Sequence, residues 1–76
     1  MEIKVLGTGC ATCKALYATV QEAVAELGLE AEVVKEEDIQ KIVELGVLSL
    51  PGLVVDGKVV AQGRKLNVAQ VKELLR

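Results

Sequence analysis

The chain holds two cysteines, Cys10 and Cys13, separated by Ala11 and Thr12, and no histidine. Two thiols this close can form a reversible disulfide, hold a soft metal ion together, or lie inert as small buried hydrophobes. Redox exchange requires one thiol to ionise near neutral pH, because the thiolate is the attacking species. A zinc site requires four ligands, so here two of them would have to come from carboxylates or a second subunit. Cu(I) is satisfied by two thiolates alone, soft ligands suiting that ion.

The elements around the pair bear on the choice. "EIKVL", Glu2 to Leu6, is short and β-branched and stops at Gly7, which reads as a strand. Leu16, Val20, Ala23, Val24 and Leu27 then recur at helical spacing between the polar Gln21, Glu22 and Glu26, and Gly28 is placed to end the helix in a left-handed conformation. The cysteines therefore fall where the first helix begins. The N–H groups of a first turn have no intrahelical partners, and the helix dipole adds partial positive charge. Both stabilise an anion, so a thiol there is expected to carry more thiolate at neutral pH. Three residues span almost one helical turn, which lets the two sulfurs meet. Cys10, at the helix tip, is expected to be exposed and to attack a partner's disulfide. Cys13, inside the first turn, is expected to be more covered and to resolve the mixed disulfide by attacking Cys10.

The rest of the chain supplies the scaffold. "EAEVVK", Glu30 to Lys35, reads as a second strand. "EEDIQKIVELG" has acids at its start, Ile39, Ile42 and Val43 on one face, and Gly46 at its end, and predicts a short helix. Leu53 to Val55 and Val59 to Ala61 flank Asp56-Gly57, a pair suited to a type I′ turn, so this segment predicts a β-hairpin. Asn67 is placed to cap a last helix bearing Val68, Val71, Leu74 and Leu75. The order is β-α-β-α-β-β-α. The first two strands, joined by a long helix, are expected to be parallel, and the hairpin adds an antiparallel pair. The result is an α/β fold with a four-stranded mixed sheet flanked by helices, one domain over residues 1–76.

Composition narrows the partners. Hydrophobic residues make up 51% of the chain, and Tyr17 is its one aromatic, so the core must be aliphatic. Charged residues make up 26%, the net charge is −2, and no basic run exceeds Arg64-Lys65. Without a basic stripe or aromatic platforms, nucleic-acid binding has no support. The apolar runs are too short to span a bilayer, and the start of the sequence has no signal-peptide pattern. These features predict a cytoplasmic protein with no membrane association. In that compartment a close cysteine pair is catalytic or metal-binding more often than a structural staple.

With motif and element order placed, the chain resembles the thioredoxin-like superfamily. It is most similar to the small, glutaredoxin-sized redox-active disulfide proteins. "CATC" after the first strand and "LPGLVVDGKVV" before the last helix carry the resemblance, which spans nearly the whole chain. It implies a thiol–disulfide oxidoreductase with Cys10 and Cys13 as catalytic residues and a redox disulfide between them. It also implies that Pro51, the single proline, is cis and faces the disulfide, while Leu50 offers its backbone to the substrate. Leu50 and Pro51, with Thr8 and Gly9, would form the rim of the substrate-binding surface. The implied partners are a disulfide-containing protein substrate and an external thiol or protein reductant. No cofactor and no resident metal are required, and a monomer is expected.

The chain departs from its relatives at several points. Ala11-Thr12 stands where thioredoxins carry Gly-Pro and glutaredoxins Pro-Tyr. Gly9 stands where relatives carry an aromatic, Leu50 where glutaredoxins carry Thr, and Arg64-Lys65 where glutaredoxins hold glutathione with an Asp pair. Lys4 occupies the position of the buried acid of thioredoxins. It either favours a thiolate electrostatically or snorkels to the surface. Lys14 and Tyr17 follow the motif, the one placed to assist Cys10 or to stay solvated, the other to shield the disulfide or to pack in the core. The rival reading is a soft-metal (Cu(I)) chaperone using the same two cysteines. Such chaperones also place CxxC after a first strand, but they finish on a strand and carry Met before the motif, where this chain has Thr8-Gly9 and a closing helix.

Overall fold

The computed structural model describes residues 1–7, 11–64 and 66–76, with the backbone alone for Thr12. The elements run β1 (Glu2–Leu6), α1 (Ala11–Leu27), β2 (Glu32–Glu36), α2 (Ile39–Glu44), β3 (Gly52–Val55), β4 (Lys58–Gln62) and α3 (Val68–Leu75). This is the expected order, and it closes on a helix. The strands form one sheet in the order β2-β1-β3-β4. β1 runs parallel to β2 and antiparallel to β3, and β4 is antiparallel to β3.

Alternation along the strands divides the core into two layers. Ile3 and Val5 of β1 and Leu53 of β3 join Leu16, Val20 and Ala23 of α1 and Val71 and Leu75 of α3 in one cluster. Leu6 and Val54, one residue out of phase, join Ile42 of α2 and Val47 on the opposite side. Ile3, Val20, Leu53 and Val71 are wholly buried, each contributing about 1.5–3 kcal/mol relative to exposure. The α1/α3 side is thus the larger half of the core, and it holds the first helix against the central strand.

Local signals fix most of the ends. Gly28, φ +66°, follows α1 as expected. Asp56 and Gly57 both adopt positive φ, 49° and 82°, and Asp56 Oδ1 accepts the Glu2 N–H at 2.8 Å. Asn67 caps α3 in a reciprocal box: its Oδ1 accepts the Gln70 N–H at 2.8 Å, and its N–H donates to Gln70 Oε1 at 3.0 Å.

Two expectations change. β2 begins at Glu32 rather than Glu30, because the ladder with β1 starts at the Glu2–Glu32 pair, reinforced by the Glu32 N–H donating to Met1 O at 2.9 Å. On α2, Ile39, Ile42 and Val43 do not share a buried face. Ile42 is buried, whereas Ile39 and Val43 are 52% and 57% exposed. A six-residue helix turns one narrow stripe to the sheet; Ile42 lies in it, and Ile39 and Val43, about 60° and about 100° round the axis from Ile42, lie largely outside it.

Candidate active site

Cys13 is the third residue of α1 and only 6% exposed. In the first turn it lies among backbone N–H groups that lack intrahelical partners, at the positive end of a 17-residue helix. It sits tightly against the end of β1. A Cβ placed on buried Gly7 would lie 2.6 Å from Cys13 Cβ, and closer still to Sγ. Glycine at position 7 therefore makes the space that the Cys13 side chain fills. The Gly7 N–H continues the ladder by donating to Glu36 O at 3.0 Å.

Beside Cys13 a cleft of about 30 Å³ is lined by Val5, Gly7, Cys13, Lys14, Lys35 and Glu37. That volume accommodates a water molecule, not an organic ligand. Lys35 reaches this side of the sheet because it pairs with Val5 in the parallel register, and aligned residues share a face. Its Nζ lies 4.6 Å from the centre of the Tyr17 ring, within the range of a cation–π contact. Tyr17, half-buried, packs against the α1/α3 core and places its hydroxyl 3.5 Å from Val33 O as a donor. The aromatic ring thus supports an ammonium at the cleft. Lys14 is exposed on α1, and the exposed Glu37 adds a carboxylate to the same rim.

Lys4 is elsewhere. It alternates with Ile3 and Val5 and so faces the α2 side, where it borders Glu36, Lys41 and Glu44 and lies 3.9 Å from Glu2 Oε1. The surface reading of Lys4 holds, and no charge from it reaches the α1 side. Lys35 and Glu37 were not singled out in the sequence. Their signal was the β1–β2 register, which "EAEVVK" does not fix on its own.

The Leu50–Pro51 peptide bond is cis, as the resemblance implied. Pro51 is buried and Leu50 half-buried, and Pro51 O accepts the Gly63 N–H at 2.9 Å. Thr8, Gly9 and Cys10, and with them the expected nucleophile, half of the expected rim and the expected Cys10–Cys13 pairing, lie outside the described residues, as does Lys65. Among the described residues, no three Cys, Asp or Glu side chains cluster; two thiolates alone suffice for Cu(I).

A family model described as "Thioredoxin domain" matches residues 1–76. The chain belongs to the thioredoxin-domain family. It is 43% identical to a thioredoxin of Methanothermobacter thermautotrophicus over 75 residues, covering 99% of this chain and 97% of that protein. It is also 40% identical to a thioredoxin of Methanocaldococcus jannaschii over 74 residues, covering 97% of this chain and 85% of that one. The mixed sheet flanked by three helices is the thioredoxin-like α/β fold, and the chain is a thioredoxin-like redox protein. No helix among the described residues is long and apolar enough to cross a membrane.

Proposed function

We propose that the chain is a thiol–disulfide oxidoreductase that reduces protein disulfides through Cys10 and Cys13. The Cys10 thiolate attacks one sulfur of the partner's disulfide. That S–S bond breaks, the departing sulfur takes a proton, and a mixed disulfide joins Cys10 to the partner. Cys13, as thiolate, then attacks Cys10 Sγ, releasing the partner's second thiol and leaving a Cys10–Cys13 disulfide. Two electrons pass to the partner, and an external thiol or protein reductant returns them. The observation that carries this reading is Cys13, buried in the first turn of α1 beside a cleft bordered by Lys35, in a chain of the thioredoxin-domain family.

The helix terminus and the Lys35 ammonium both favour thiolate on this side of the sheet. Leu50 and Pro51, with Thr8 and Gly9, form the rim on which the substrate segment lies. The protein acts as a single domain and a monomer in the cytoplasm, and needs no bound cofactor. Cys10→Ser and Cys13→Ser variants test the roles. Cys10→Ser is expected to abolish turnover of a protein disulfide. Cys13→Ser is expected to accumulate a mixed disulfide on Cys10, detected by intact mass. Full reductase activity in Cys10→Ser would overturn the proposal.

A further inference from the structure

Cys13 is only 6% exposed, and its thiol must lose a proton before it resolves the mixed disulfide, because the thiolate is the attacking species. Lys4, at the position where thioredoxins bury an acid, faces the α2 side. The acids nearest the cleft come instead from the end of β2, where Glu36, Glu37 and Asp38 follow one another. Two of the three are engaged elsewhere. The Glu36 carboxylate lies 3.8 Å from Lys41 Nζ. Asp38 caps α2, its Oδ1 accepting the Gln40 N–H at 2.9 Å. Glu37 is exposed and lines the cleft beside Cys13.

The strand register puts it there. The Gly7 N–H donates to Glu36 O at 3.0 Å, the bond a parallel ladder makes when Gly7 stands opposite Glu37. That is one step beyond the Leu6–Glu36 pair. Neighbouring strands lie about 4.8 Å apart, so Glu37 flanks the residue on which Cys13 rests. Alternation gives Glu37 the same face as Lys35, two residues earlier. Among the described residues, the charged groups lining the cleft with Cys13 are Lys14 from α1, Lys35 from β2 and Glu37 after it, while Val5 and Gly7 carry none. An ammonium only donates hydrogen bonds, whereas a carboxylate accepts them. Glu37 is therefore the acceptor of the set, and the cleft of about 30 Å³ has room for one water.

We propose that Glu37 is the proton acceptor for Cys13, acting through a single water held in this cleft. The inference rests on the redox reading and adds a residue to it. The Cys13 S–H bond breaks and its proton passes to the water, while a proton of that water passes to the Glu37 carboxylate. The Cys13 thiolate then attacks Cys10 Sγ. The bond from Cys10 to the partner breaks, and the partner's sulfur leaves with the electron pair and takes a proton from solvent. Glu37, being exposed, gives its own proton up to solvent. The same relay runs in reverse when the external reductant opens the Cys10–Cys13 disulfide and Cys13 departs as thiolate.

The test follows a single turnover of the whole protein with a disulfide-linked peptide, quenched with acid and read by intact mass. Formation of the mixed disulfide reports on Cys10, and its decay reports on Cys13. Glu37→Gln is expected to leave formation unchanged and to slow decay about tenfold at pH 7, less than a fully enclosed base supplies because solvent reaches this cleft. The slowing is expected to fade as pH rises and hydroxide takes over from the carboxylate. Glu37→Asp keeps a carboxylate and is expected to recover most of the rate. In Glu37→Ala, added formate is expected to restore decay in proportion to its concentration. Glu36→Gln removes the same charge from the α2 side and is expected to decay like wild type. Decay at the wild-type rate in Glu37→Gln overturns this inference alone. So does a slow Glu37→Ala that formate does not speed, or a Glu36→Gln slowed as much as Glu37→Gln. A wild type that leaves the peptide unreduced overturns the redox reading beneath it.

Discussion

Replacing Gly7 by alanine should damage both stability and turnover, because the new methyl has to occupy space that Cys13 already fills. The added carbon would lie 2.6 Å from Cys13 Cβ, whereas carbon atoms in contact sit about 3.5–4.0 Å apart. The two must therefore separate by about 1 Å. Rotating Cys13 moves only its sulfur, since the position of Cβ is set by the α1 backbone. The end of β1 has little freedom either, with the Gly7 N–H bonded to Glu36 O at 3.0 Å. The first turn of α1 has to give way. Overpacking of this kind costs about 2 kcal/mol, a large part of the roughly 4–11 kcal/mol that holds a domain of this size together. For so small a domain that corresponds to a fall in Tm of roughly 10 °C. A shift of about 1 Å in a reacting group can reduce turnover by as much as about a hundredfold. Thermal and urea unfolding of Gly7→Ala, with reductase turnover measured well below its Tm, reads both effects. In a Cys13→Ala background the sulfur contact disappears but the Cβ contact remains, so the destabilisation should shrink without vanishing. A Gly7→Ala variant that melts within about 2 °C of wild type and turns over normally would refute the packing argument.

Other predictions follow from single contacts. Asn67→Ala removes the α3 cap and should cost about 1 kcal/mol in urea unfolding while leaving turnover unchanged, because neither Asn67 nor Gln70 lines the cleft. Lys35→Gln removes the ammonium that lines the cleft with Cys13. The resolving step should slow a few-fold, as measured by the lifetime of the mixed disulfide.

The parts of the fold that could be read from the sequence were those written in adjacent residues. Asp56-Gly57 required positive φ at both positions, Asn67 preceded an amphipathic run, and Gly28 followed one; the structure has all three where expected. What the sequence did not disclose depends on pairing between distant segments. β2 starts where β1 lets it start, at Glu32, and the same register brings Lys35 round to the Cys13 side. Lys4, counted onto the position of a buried acid, faces the other layer because β1 alternates. On α2 the apolar triplet was legible, but which of its residues met the sheet was decided by packing, and Ile42 alone did. Cys13 was expected to be covered, and it is. The reason lies in Gly7, which the sequence presented only as the end of a strand.

The central claim is that Cys10 and Cys13 exchange electrons rather than carry a metal. The most direct test is the reduction potential of that pair, measured by equilibration against defined thiol–disulfide buffers, with metal content determined on the same anaerobic sample. The expected result is a reversible two-electron couple near the cytosolic poise and no stoichiometric metal. A protein that binds one equivalent of Cu(I) and forms no disulfide across the accessible range would contradict it.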